Sequence, residues 1–289
     1  MSKTRKIKCA AINIKFVDTN KQRPNNYAEL FRDIQSKGLI GHGYSKQALL
    51  VNTLARTQEL GELVDGITGS FHKYFDLPEN TKWFDTSTRQ PISDKNEVIA
   101  IPHGLKPEYT SFGYVFFPKR HRLIFDCSKM SAKSVHKALS QIFSYPVINK
   151  EYGDIDVIIE TSREMIDQIL NLDYIRMLNI KLTIPNPDEL SELDAKVFEN
   201  MKIHGLYSYE QIQSSKKSDG MTLRDQDKSL IRLSASNGKT TVKTIEGGEV
   251  VEKSTSDYPL IYTKEYQPDT QPYSTAIVEA GEMVLRTLQ

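Results

Sequence analysis

Apolar side chains near the start of the chain fall at Ile7, Cys9, Ala11 or Ile12, Ile14 and Phe16. This approximate period of two predicts an opening β-strand with one buried face. Asn25 and Asn26 are placed to cap a helix running to about residue 36, with Leu30, Phe31 and Ile34 as its apolar stripe. Between residues 38 and 102 the pattern changes to short β-rich runs at 48–57, 63–68, 71–75 and 97–101. Gly and Pro punctuate the joins, which predicts a bent antiparallel sheet.

The most regular block lies between residues 109 and 184. Its predicted order is strand 111–117, strand 122–126, helix 132–143, strand 155–160, helix 163–170 and strand 176–184. The first helix has Ser131 as N-cap and Val135, Ala138, Leu139 and Ile142 at helical spacing. The second has Thr161 or Ser162 as cap, Glu164 in its first turn, and Met165, Ile166, Ile169 and Leu170 as its buried stripe. This ββαβαβ order predicts a ferredoxin-like layer with both helices on one sheet face. Pro185-Asn186-Pro187 stops the last strand, because proline removes a ladder donor. Beyond it come a helix at 189–201, a polar loop at 214–220, a helix at 223–235, a hairpin at 239–254 around Glu246-Gly247-Gly248-Glu249, and a closing helix at 274–288. The expected fold is α+β with antiparallel sheets. It divides into a strand-rich region at 1–105, a central ferredoxin-like block at 106–187, and a helical and β-hairpin region at 188–289.

Composition narrows the class. The 289 residues are 38% hydrophobic and 26% charged, which excludes collagen-like and wholly disordered chains. Lys and Arg number 38 against 37 acids, so the net charge of +1 gives no general attraction to nucleic acid or anionic lipid, and any electrostatic partner must be read from local patches. Two cysteines, Cys9 and Cys127, form neither a disulfide framework nor a zinc spacing. Apolar runs are strand-sized, and the basic residues 1–9 lead into no continuous apolar stretch, so a soluble, cytoplasmic protein is expected.

The clearest local asymmetry is basic. Lys119, Arg120, Arg122, Lys129, Lys133 and Lys137 face the single acid Asp126, with His121 and His136 adding conditional charge. Lys133 and Lys137 share one helix face and Lys129 leads into it, a row that can follow phosphates and release counterions. Lys3, Arg5, Lys6 and Lys8 form a second basic cluster at the start. Residues 112–117, Phe-Gly-Tyr-Val-Phe-Phe, fit the aromatic strand of RNA-recognition domains, whose rings stack on unpaired bases. No helix follows them, so a buried sheet strand is the stronger reading.

Enzyme signatures are sparse. The six histidines include no pair at metal-ligand helical spacing, and no metal or cofactor is expected. Gly41-His42-Gly43 and residues 236–240, Ser-Asn-Gly-Lys-Thr, resemble phosphate loops in composition, but the latter reads better as a helix stop before a hairpin. Asp154, Asp156 and Glu160 could hold Mg²⁺ for phosphodiester chemistry, yet the adjacent lysine of such nucleases is missing, so they read first as strand-edge carboxylates.

A resemblance adds to this. Lys106-Pro107 with Tyr109, Phe116-Phe117-Pro118-Lys119, His121-Arg122-Leu123 and the run Ile184-Pro185-Asn186-Pro187-Asp188 resemble a bacterial family, domain of unknown function 4747. Asn13-Ile14, Ser162-Arg163-Glu164 and Ser256-Asp257-Tyr258-Pro259 support it over nearly the full length. The resemblance implies a stand-alone accessory protein of mobile or phage-defence loci and transfers no catalytic residue. With the basic run, the expectation is a nucleic-acid-binding protein, DNA ahead of RNA, with the question of enzymatic activity open and leaning to none. A component recognising a phage or host protein is the alternative, and a metal-dependent nuclease the third. A free sheet edge would also supply a homodimer surface, unless Lys239, Lys243 and Lys253 block it.

Overall fold

A computed structural model describes residues 4–57, 66–77, 81–92, 104–184, 192–216 and 219–288. The chain runs β1 (Arg5–Phe16), α1 (Pro24–Ser36), β2 (Ile40–His42), β3 (Gln47–Thr57), β4 (Gly66–Phe75), β5 (Phe84–Asp85), β6 (Gln90–Pro91), β7 (Thr110–Phe117), β8 (Arg122–Asp126), α2 (Ala132–Phe143), α3 (Pro146–Tyr152) and β9 (Ile155–Ile159). It continues through α4 (Arg163–Leu170), β10 (Met177–Thr183), α5 (Glu192–Ile203), β11 (Ser208–Ser214), α6 (Asp225–Asn237), β12 (Gly238–Glu246), β13 (Glu249–Ser254), β14 (Ile261–Tyr266) and α7 (Tyr273–Leu288). The fold is α+β with antiparallel sheets, as the hydrophobic pattern predicts.

Strand β1 organises the molecule. Its even positions Ala10, Ile12, Ile14 and Phe16 enter a core with α1, α2 and α3, while Ile7, Cys9 and Ala11 enter a second core on the opposite face beneath α7. One edge of β1 pairs with β8; the other pairs first with β14 and then, further along, with β9. Among the described residues the main sheet has the order β14-β1-β8-β7-β4-β3-β2, with β9 paired to β1 beyond the end of β14, and it curls into a half-barrel. Thus β1, from the first sequence segment, exchanges ladder bonds with strands from both of the others.

The aromatic strand is buried on both faces. Phe112, Tyr114 and Phe116 pack toward α1 and Phe71, with the Phe71 and Tyr114 rings stacked at 4.4 Å, while Val115 and Phe117 lie under α7. No ring of this strand is open to a base. Ser131 accepts from the Ser134 amide and Ser162 from the Met165 amide, as expected, whereas α1 starts earlier than expected, with Arg23 at its N-cap and Pro24 at its first position, so Asn25 and Asn26 lie inside its first turn and do not cap it.

The ferredoxin-like layer is not formed. Strand β10 leaves the main sheet and joins a second one, ordered β11-β10-β12-β13. The reason lies in α4, whose Met165, Ile166 and Ile169 pack with Leu178, Ile180 and Leu182 of β10 and with Leu230 and Ile231 of α6 in a third core. The apolar stripes of α4 and β10 match each other and α6, so burial carries both away from β9. Two other expectations change, and two lie beyond what is described. Residues 71–75 belong to the longer strand β4, the predicted run at 63–68 contributing its described end to the same strand. The predicted strand at 97–101 and the stop at 185–187 lie outside the described residues. Strands β11 and β14 and helix α3 are additions.

Candidate functional site

The six basic residues do not gather on one surface. Lys119 and Arg120 occupy a 3₁₀ turn before β8, and Lys129 follows its other end, a strand length of about 16 Å away. Arg122 is buried. Its Nε lies 2.7 Å from Glu160 Oε1, and its Nη1 donates to the Arg120 carbonyl at 2.9 Å. A guanidinium committed in this way cannot also grip a phosphate, so Arg122 leaves the predicted set. Lys133 and Lys137 remain exposed on α2; the first pairs with Asp257 at 2.5 Å, and the ammonium of the second sits 4.6 Å from the Tyr44 ring centre.

Lys133 opens onto a cleft of about 650 Å³ between the main and second sheets. One wall is α2 and the edge of β9, bringing Lys133, His136 and Asp156. The other wall is the outer face of the second sheet, bringing Lys181, Thr183, Ser208 and Lys239, with Tyr44, Tyr207 and Asp257 at its rim. On β10, Leu178, Ile180 and Leu182 point into the third core, so alternation turns Lys181 outward; on β12 the buried Thr240 and Val242 do the same for Lys239. Register then sets Lys181 directly opposite Lys239. Like charges so placed repel, and neither ammonium has a hydrogen bond or ion pair among the described residues. Gly238 makes this approach possible, because a Cβ there would stand 1.9 Å from the Lys181 carbonyl oxygen.

The β9 edge is the second notable wall. In its antiparallel ladder with β1, the Glu160 amide donates to the Ala11 carbonyl and the Val17 amide to the Asp154 carbonyl. Alternation therefore commits the amides and carbonyls of Asp156 and Ile158 to β1 and turns those of Ile155, Val157 and Ile159 toward the open edge. His136 Nε2 reaches the Val157 carbonyl at 3.0 Å. Burial lowers the His136 pKa, an effect partly opposed by that carbonyl, so the neutral ring donates. Tyr207 donates its hydroxyl to Asp156, and burial followed by the Asp156 charge raises the phenol pKa.

Behind the cleft the two sheets are joined by a polar network. Past Ala11, the second face of β1 carries Asn13 and Lys15, both buried against the end of α6. Asn13 Nδ2 donates to the Ser236 carbonyl at 2.8 Å, and Lys15 Nζ to the Ile184 carbonyl at 2.5 Å and Asn237 Oδ1 at 3.4 Å. Ser236 Oγ donates to Glu160 Oε2 at 2.6 Å. These groups satisfy the carbonyl end of a helix, where positive charge is favoured.

The remaining candidates separate. Asp154 accepts from Asn149, Asp156 faces the cleft and Glu160 is buried on Arg122. Among the described residues no group of three His, Cys, Asp or Glu side chains is placed to hold a metal. Gly41 meets α2 so closely that a Cβ would stand 2.0 Å from the Ala138 carbonyl oxygen, which makes it a packing position and not a phosphate loop. Residues 236–240 do end α6 and begin β12. The sequence reading missed Lys181, Tyr44 and Tyr207 as cleft residues and noticed Lys239 only within the phosphate-loop-like run 236–240 and as a possible edge block.

Comparison with curated proteins finds no match. The phrases that carry the family resemblance are framework positions: Phe116-Phe117 ends β7, Pro118 begins the 3₁₀ turn, and His121-Arg122-Leu123 starts β8. They specify the turn that orients β8 against β1, and with a family model matching residues 5–282, the chain belongs to the domain of unknown function family DUF4747.

Proposed function

We propose that this protein binds nucleic acid in the cleft between its two sheets, its phosphates held by Lys181 and Lys239 and flanked by Lys133 and Lys137. The observation that carries the reading is the Lys181 and Lys239 pair, set opposite each other in a polar cleft with no ion pair among the described residues, Glu210 standing across from Lys181 on β11. A phosphate between the two ammonium groups would convert a repulsion into two attractions and release counterions. Lys119, Arg120 and Lys129 lie outside this cleft and serve at most as outer contacts. An anti-phage role, which the family resemblance implies, belongs to the same reading.

Anisotropy titrations of labelled DNA and RNA at 50 and 200 mM salt test it. Binding should weaken with salt, and Lys181→Glu/Lys239→Glu should reduce the log–log salt slope by roughly 1.4 to 1.8. Both side chains are exposed, so melting should stay within about 0.5 kcal/mol of the parent. Lys119→Glu/Arg120→Glu should leave the slope nearly unchanged. Absence of binding to any nucleic acid at low salt would reject the proposal. In cells, the cleft variant should lose whatever protection the parent gives against phage in a plating assay.

A further inference from the structure

Resting on the nucleic-acid reading, the geometry points to a narrower ligand: we propose that the cleft takes an unpaired strand, one base entering against the open edge of β9 while a neighbouring base stacks on Tyr44.

Three features converge on it. The first is the β9 edge. Peptide groups of Val157 and Ile159 turn outward into a cleft that those same residues line, so alternating donors and acceptors stand there outside the ladder. His136 meets the Val157 carbonyl. The hydrogen-bonding edge of a free base is also a short row of donors and acceptors, and it complements a strand edge. In a duplex those edges are spent on the partner strand.

The second feature is Tyr44. It opens the tight turn between β2 and β3, where the Gln47 amide donates to the Tyr44 carbonyl at 3.1 Å and Ser45 and Lys46 both hold positive φ, +53° and +58°. Such a turn normally selects Asn-Gly, and here it holds a ring that is 53% exposed at the cleft rim. Lys137 covers the ring at 4.6 Å, and no other aromatic ring lies against it among the described residues. A base laid on the tyrosine would have that ammonium within reach of its phosphate.

The third is size and charge order. About 650 Å³ suits a nucleotide or two, within the range of pockets that enclose small ligands. Asp257 is paired with Lys133, and Asp156 keeps its charge while accepting from Tyr207; Lys181, with Glu210 opposite it on β11, and Lys239 have no ion pair among the described residues and lie across the cleft from the β9 edge. Rings, strand edge and lysine pair thus match the three parts of a single strand: face, edge and phosphate.

The test compares a twelve-nucleotide DNA and RNA of mixed sequence, each single-stranded and as a blunt duplex, by anisotropy at 50 and 200 mM salt. A single strand should bind at least tenfold tighter than its duplex. Tyr44→Leu should weaken single-strand binding at least fivefold, Tyr44→Phe should restore it, and neither should alter the salt slope, because stacking moves no counterions. Equal binding of duplex and single strand, or wild-type affinity in Tyr44→Leu, overturns the inference while leaving nucleic-acid binding in place. Failure of every nucleic acid, with poly-glutamate peptide bound instead, overturns both and makes the β9 edge a peptide site.

Discussion

Replacing Glu160 by Gln keeps the shape of the side chain and removes its charge. Glu160 is fully buried, one carboxylate oxygen lies 2.7 Å from Arg122 Nε, and the other accepts from Ser236 Oγ. The Arg122 side chain is only 3% exposed, so its charge has no route to solvent. Breaking a buried pair by removing one partner costs about 3–5 kcal/mol. Against a total stability of about 5–15 kcal/mol this is a large fraction, and it corresponds to a fall in Tm of roughly 10 °C. Urea denaturation with thermal scanning measures it. The double variant Arg122→Met/Glu160→Leu supplies the control, because it removes both charges together and should regain most of the loss. The reasoning is refuted if Glu160→Gln melts like the parent, or if the double variant is no more stable than the single one.

Two further outcomes follow from local geometry. Burial, with Arg122 and Lys15 nearby, depresses His121 from 6.5 to about 4, and His121 Nδ1 shares a 2.6 Å hydrogen bond with Tyr27 Oη, which also accepts from the Phe16 amide. The unfolded chain therefore binds the proton first, stability is full above about pH 6.5, and about 2 kcal/mol is lost between pH 7 and pH 5; His121→Asn, which tolerates the positive φ of 55°, should flatten that slope in urea titrations at several pH values. At the β2 to β3 turn, Ser45→Asn/Lys46→Gly should raise stability by about 1 kcal/mol, because the two positive φ values then cost little, and a lower urea midpoint would mean that another turn forms.

Where the sequence was legible, one residue pattern decided one element. Helix α2 is found at its predicted bounds because Ser131 marks its start and Val135, Ala138, Leu139 and Ile142 mark its face. The hairpin of β12 and β13 is likewise found around Gly247 and Gly248, both at positive φ. Strand β11 escaped because its inward positions include Gln211 and Gln213, polar side chains that both donate to the buried carboxylate of Asp227. Although burial raises the pKa of Asp227, hydrogen bonds from Arg224 and Gln213 hold it down at about 2, so it serves as a charged acceptor beneath the second sheet. Hydrophobic periodicity cannot detect a strand that is satisfied in this way. The cleft was hidden for a different reason. Lys181 and Lys239 belong to separate segments, and only the register between β10 and β12 makes them neighbours. By contrast, the contiguous run from Lys119 to Lys137 looked like a patch, but a strand and a helix disperse it.

The same register connects the buried network to the cleft. Gly238 begins β12 at the end of α6, and the carbonyls just before it are taken by Asn13 at Ser236 and by Thr183 at Asn237. Lys15 adds a bond to Ile184, immediately after β10. Both strands that carry the cleft lysines are therefore tied, within three residues of Lys239 and three of Lys181, to the polar half of β1. An apolar contact of equal area would hold the two sheets together, but it would tolerate sliding, since burial is non-directional. Hydrogen bonds that each end on one particular carbonyl do not. The opposite edge of β1 is occupied by β9, whose other edge lines the cleft. One strand thus fixes both walls of the cleft, β9 through its ladder and the second sheet through Asn13 and Lys15, which gives these buried polar side chains a structural reason to interrupt an otherwise apolar strand.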